Sequence, residues 1–176
     1  MKLFLLPGNS ASNESWIERV KSELNDVFED LQIQYYAHWK RNDVKVVDLD
    51  AELENLLAET SRVPAYCIFA KSAGALLALR GIYEAKVKPA KCIFVGLPVL
   101  WARQNGFDID RWIKNYSIQS LFIQQSGDPA FSFSQLKDYL ANNNVRNYKL
   151  VQVMGKDHDY QNINELKKHI VPFMSQ

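Results

Sequence analysis

Six short apolar runs, separated by segments with helical periodicity, constrain this chain more than any other feature. They fall at residues 2–6, 32–37, 65–69, 91–95, 120–124 and 149–154. Most are continuous rather than alternating, which is the pattern of strands buried on both faces. Between them, Trp16, Val20, Leu24, Val27 and Leu31 recur at helical spacing, with Ser15 and Glu18 fitting a capping box. Leu49, Leu53, Leu56 and Leu57 mark a second helix, with Asp48 or Asp50 as its cap. Further helices are expected over 73–85 and 110–116, around Phe133, Leu136 and Leu140, and through Ile163, Leu166, Ile170 and Phe173. Residues 39–43 read as a polar loop and 96–107 as an irregular, apolar-rich stretch. The pattern predicts an α/β fold: a doubly wound, mostly parallel six-stranded sheet with helices on both faces. A length of 176 residues suits a single domain over 1–176.

In a sheet of this kind the ligand-bearing positions lie in the loops after the strands. The third apolar run leads into Ala70-Lys71-Ser72-Ala73-Gly74, and a helix follows at once. Strand, serine turn with small residues two before and two after, then helix is the pattern of a nucleophile elbow. The small residues are needed because the turn brings backbone into close contact on either side of the serine. Such a turn lifts the hydroxyl clear of the sheet and sets the next amide, that of Ala73, at a helix N-terminus, where it can stabilise an oxyanion.

The remaining loops supply what a serine nucleophile requires. Asp128 follows the fifth run in Ser126-Gly127-Asp128-Pro129, and His158 follows the sixth in Gly155-Lys156-Asp157-His158. Serine attacks only when a base takes its proton, and imidazole suits that task near neutrality. A carboxylate keeps the imidazole in the useful tautomer and stabilises the imidazolium. Of the three histidines, His169 sits late in the last helix and His38 ends the second strand, so His158 is the expected base. Asp157, Asp159 and Asp138 read as solvated. The loop after the first strand, Pro7-Gly8-Asn9-Ser10, offers the amide of Asn9 as the second oxyanion donor beside Ala73. Trp101, Phe107 and Phe131, with Trp112 and Phe133, are the aromatics expected near a pocket. Lys71 is expected in solvent, since lysine seldom stays buried unpaired; the alternative is that its charge lines the site mouth and favours acidic substrates.

Composition narrows the partners. The formal net charge is +1, and the basic residues are scattered, which makes no case for nucleic acid or an anionic membrane. The apolar runs are far too short to cross a bilayer, and nothing at the N-terminus reads as a signal peptide, so a cytoplasmic location is expected. Cys67 and Cys92 lie in buried strands and read as inert thiols; there is no cluster spaced for a metal. No cofactor or metal is expected. A nucleotide-binding module is the weakest alternative, because Pro7-Gly8-Asn9-Ser10 lacks both the glycine density of G-x-G-x-x-G and a phosphate-binding lysine.

The ordered set of motifs resembles the α/β-hydrolase superfamily, and within it the small, capless serine hydrolases that include retinoblastoma-binding protein 9. The likeness runs nearly end to end: Pro-Gly-Asn after the first strand with Trp16 opening the first helix, the elbow, Ser-Gly-Asp-Pro, and His158 followed by Gln161-Asn162 and a helix. It departs at position 70, Ala rather than Gly, at Lys71, where that family often has His, and at Pro7, where many hydrolases carry His. The resemblance implies a serine hydrolase that cleaves a small carboxylic ester, or an amide or thioester, through an acyl-enzyme. Its rival from another class is an inactive interaction domain on the same fold.

Overall fold

The computed structural model describes residues 1–41 and 45–176. Asn42 and Asp43, in the loop expected over 39–43, lie outside the described residues.

Six parallel strands form one sheet: β1 (Lys2–Leu6), β2 (Leu31–Ile33), β3 (Tyr66–Lys71), β4 (Lys91–Val95), β5 (Ser120–Gln125) and β6 (Tyr148–Val153). Their order across the sheet is β2-β1-β3-β4-β5-β6. The chain therefore runs outward from β1 to β2, then reverses to β3 and continues the other way, and this reversal places the switch point between the ends of β1 and β3.

Alternation of side chains along each strand divides the core in two. Phe4, Ile68, Phe94 and Phe122 face a cluster closed by α2 (Leu49–Thr60), α3 (Ala73–Tyr83), α4 (Val99–Gln104), α5 (Ile109–Ile113) and α6 (Phe133–Asn142). Leu3, Leu5, Phe69, Ile93 and Ile123 face a second cluster closed by α1 (Asn13–Leu24) and α7 (Ile163–Met174). Both faces are thus covered, as continuous apolar strands require. Among the described residues no helix is long and apolar enough to cross a membrane.

Three local departures from the sequence pattern have physical causes. Strand β2 stops at Ile33, and the chain enters a 3₁₀ turn over Ala37–Lys40; Tyr36, expected in the strand, instead donates its hydroxyl to the Pro7 carbonyl at 3.0 Å. Helix α1 starts at Asn13, ahead of the Ser15–Glu18 box. Ser12 at its cap position is already helical (φ −60°, ψ −19°) and makes no side-chain capping bond. The capping box that forms is Ser132 with Gln135 at the start of α6, while Asp48 caps α2 by accepting from the amides of Asp50 and Ala51. Within the stretch expected to be irregular, Val99 and Ala102 are buried on one side of a short helix, α4.

Candidate active site

The elbow is built where β3 runs into α3. Every residue of β3 is buried, and Ser72 follows with φ 51° and ψ −116°. A non-glycine residue in that region is strained, and such strain persists only where neighbouring bonds enforce it. Here the Ser72 amide donates to Val95 of β4 at 3.0 Å, and its carbonyl accepts from the Ala75 amide at 2.9 Å. Gly74 has no substitute: a Cβ there would sit 2.2 Å from the Leu6 carbonyl oxygen of β1.

The histidine comes to the serine from the far side of the sheet. His158 Nε2 lies 2.9 Å from Ser72 Oγ, and its Nδ1 lies 2.9 and 2.8 Å from the two Asp128 oxygens. The Asp128 carboxylate is wholly buried and has further donors. Tyr160 donates its hydroxyl to Oδ2 at 2.6 Å, Gln124 donates to Oδ2 at 3.2 Å, and the Ala130 amide donates to Oδ1 at 2.8 Å. Burial, followed by the Asp128 carboxylate at its side, pushes the Tyr160 hydroxyl far above its ordinary pKa, so it serves as a donor throughout. The loop carrying the histidine is shaped by Gln125, whose Oε1 accepts from the amides of Asp157 and His158 and whose Nε2 donates to Asp157. His158 and Tyr160 both take positive φ, 67° and 57°. Gly96, with φ 63°, leaves the ring its space; a Cβ there would meet Tyr160 at 2.6 Å and His158 at 3.2 Å.

The loop after β1 is pinned from outside. The Asn9 carbonyl accepts from His38 Nε2 at 2.8 Å and from Trp39 Nε1 at 2.9 Å. The Asn9 side chain accepts from the Val47 amide and donates to the Lys45 carbonyl, each at 2.8 Å. With every other polar group of Asn9 engaged, its amide has no acceptor among the described residues, and neither has that of Ala73 at the first turn of α3. Two unpaired amides, one from each side of the switch point, are what an oxyanion would need.

These elements enclose a cleft of about 600 Å³. Asn9, Ser72, His158 and Trp101 line it, as do Lys71 and Asp159. Phe107 and Phe131 do not. Phe107 lies between Trp101 and Trp112, tilted to both rings, and Phe131 packs edge-on against Tyr139 in the core, because both side chains find apolar partners behind the wall. Trp112 and Phe133 are likewise absent from the lining. Lys71 corrects a second expectation. It is buried, 5% exposed, because Asn13 Oδ1 accepts from its Nζ at 2.8 Å and the Trp16 ring lies under the charge at 4.8 Å. Burial lowers its pKa to about 8, with Asp159, Asp128 and Asp157 drawing it partly back. Sequence reasoning passed over Gln124, Gln125 and Tyr160; the available signal was a pair of amides ending an otherwise apolar strand just ahead of Asp128. Among the described residues no group of His, Cys, Asp and Glu could hold a metal ion.

Comparison with solved structures places the fold. Est1E from Butyrivibrio proteoclasticus, described with ferulic acid bound, superposes with a TM-score of 0.74 at 16% identity, over 99% of this chain and 88% of that one. The N-formylmaleamic acid deformylase of Pseudomonas putida S16 gives 0.74 at 14%, over 96% and 91%. An esterase from Pyrococcus furiosus gives 0.70 at 16%, over 99% and 81%. The fold is the α/β-hydrolase fold. At the level of sequence no protein-family profile and no curated protein matches this α/β-hydrolase-fold chain.

Proposed function

We propose that this α/β-hydrolase-fold protein is a serine hydrolase that cleaves small carboxylic esters through an acyl-enzyme. The observation that carries the reading is the unbroken hydrogen-bonded line from Ser72 Oγ through His158 to the buried Asp128 carboxylate, opening on the cleft. Ser72 Oγ attacks the ester carbonyl while His158 Nε2 takes its proton, and Asp128 holds Nδ1–H and stabilises the imidazolium. The carbonyl oxygen, now negative, is received by the amides of Asn9 and Ala73 at the N-terminus of α3. His158 returns its proton to the departing alkoxide, leaving an acyl group on Ser72. Water, deprotonated by the same imidazole, then attacks that acyl group, and as the bond to Ser72 Oγ breaks the imidazolium returns the proton to Oγ and the acid is released. Thioesters and activated amides fit the same steps.

The kinship with the small, capless serine hydrolases that include retinoblastoma-binding protein 9 rests on the ordered motifs, and we read residues 1–176 as one such domain. The same reading places the protein in the cytoplasm, where Cys67 and Cys92, both free and buried, stay reduced.

Turnover of p-nitrophenyl acetate and butyrate tests the proposal. Ser72→Ala and His158→Ala should each lower kcat by on the order of 10³-fold or more. Undiminished turnover in Ser72→Ala would overturn the nucleophile assignment, and a folded native protein that turns over neither ester would instead favour an interaction domain.

A further inference from the structure

Lys71 leaves a charge in the cleft that no ion pair among the described residues balances. Its Nζ has a neutral amide oxygen, Asn13 Oδ1 at 2.8 Å, and the face of Trp16 at 4.8 Å. Both stabilise a cation, and neither cancels it. Among the described residues no carboxylate comes within ion-pairing distance. The acids that act on it do so through space, and two of the three are committed elsewhere. Asp128 holds His158, and Asp157 accepts from Gln125 and from the Asp159 amide. Asp159 is exposed at the rim. An ammonium with one hydrogen bond keeps two donors to offer, and a buried charge without a partner is costly unless something supplies one.

The surroundings indicate what supplies it. Lys71 lines the cleft beside Ser72, and the hydroxyls of Ser10, Ser12 and Ser15 line the same side, which derives from the β1–α1 loop and the first turn of α1. Arg19, on the same helix, adds a second cation at the rim, hydrogen-bonded to Gln161. On the other side of β3, the segments after β4 and β5 contribute Pro98 and Trp101, at the cap and in the first turn of α4, and Ala130. One side of the cleft thus carries two cations and three serines, with Asp159 at the rim, and the other is apolar, with the reactive serine between them.

We propose that the substrate is an ester carrying a carboxylate, which Lys71 receives on the β1–α1 side of Ser72 while the rest of the molecule lies along Pro98, Trp101 and Ala130. This deepens the hydrolase reading and rests on it for the ester; the anion site itself does not. Ionisation is consistent with the role: with a pKa of about 8, Lys71 is mostly charged at pH 7, and a carboxylate beside it strengthens that charge.

The test compares charged and neutral members of two probe pairs. One pair is 4-acetoxybenzoate and its methyl ester, with the carboxylate in the leaving group. The other is mono-p-nitrophenyl adipate and its methyl ester, with the carboxylate in the acyl group. For at least one pair, the ratio of kcat/KM for the charged over the neutral member should fall about 10- to 100-fold in Lys71→Met, the worth of a charge-assisted hydrogen bond. Lys71→Arg, which keeps the charge, should restore part of it. A ratio unchanged in both pairs, whether the two rates fall together or neither falls, would overturn the proposal. Titration calorimetry of 4-acetoxybenzoate into Ser72→Ala, with and without Lys71→Met, separates this claim from the hydrolase reading. The same titration is made with mono-p-nitrophenyl adipate; binding of either probe that weakens with Lys71→Met upholds the anion site even in a protein that hydrolyses nothing, and binding of both indifferent to it refutes the site.

Discussion

Replacing Lys71 by Met should make the protein more stable at neutral pH, and the size of the gain follows from where the ammonium sits. A fall in pKa from 10.5 to about 8 corresponds to about 3 kcal/mol against the charged form in the folded state. Met keeps the length and the contact with Trp16 but leaves Asn13 Oδ1 without its donor, a loss of about 1–2 kcal/mol. The net expectation at pH 7 is a gain of about 1–2 kcal/mol. The sign with pH is fixed by proton counts. Below pH 8 the lysine is protonated in both states and the full cost is present. Between pH 8 and 10.5 the unfolded chain binds the proton and the folded one does not, so native stability rises with pH relative to the variant. Urea unfolding of both proteins at several pH values measures the difference directly, and groups common to the two cancel. The advantage of Lys71→Met should vanish and reverse by about pH 10. A difference that stays constant from pH 7 to 10.5 would show that Lys71 is not held as a buried cation, and the reasoning would fail with it.

Other perturbations read the relay and its supports. Asp128→Asn should lower kcat for p-nitrophenyl butyrate by about 10⁴-fold, since the amide favours the wrong imidazole tautomer, while circular dichroism stays native. Tyr160→Phe removes the donor to Asp128 and the acceptor of the Gln125 amide at 3.0 Å. It should cost about 1–3 kcal/mol in urea unfolding and slow kcat with little change in KM. Gly74→Ala places a methyl group 2.2 Å from the Leu6 carbonyl, so β1 and α3 cannot both keep their places; a melting temperature equal to that of the native protein would contradict the packing described here.

Much of this architecture was legible because its signals are local or ordinal. The continuous apolar runs gave parallel strands, and Ser72, Asp128 and His158 each follow a strand whose end lies on one edge of the sheet. The misreadings share a different origin. Tyr35 and Tyr36 look like strand residues because aromatics favour strands, yet Tyr36 is drawn off by the Pro7 carbonyl, 29 positions away. A lysine belongs in solvent unless it finds a partner, and the partner that buries Lys71 is Asn13, 58 positions earlier. Phe107 and Phe131 looked like pocket residues by chain position, whereas their ring partners draw them into the wall. Gln125 and Tyr160 shape the histidine loop through bonds 32 to 35 positions long, which no periodicity reveals. Ser15 and Glu18 have the spacing of a capping box, but the helix begins nearly one turn sooner and puts Ser15 on the cleft instead.

The central claim is that Ser72 is a nucleophile activated by His158. Incubating the protein with a fluorophosphonate and mapping the adduct by mass spectrometry tests it without knowledge of the natural substrate. The account predicts one adduct, on Ser72, absent from Ser72→Ala and formed at least about 10³-fold more slowly in His158→Ala. An adduct on another residue, or equal labelling of native and Ser72→Ala protein, would contradict it.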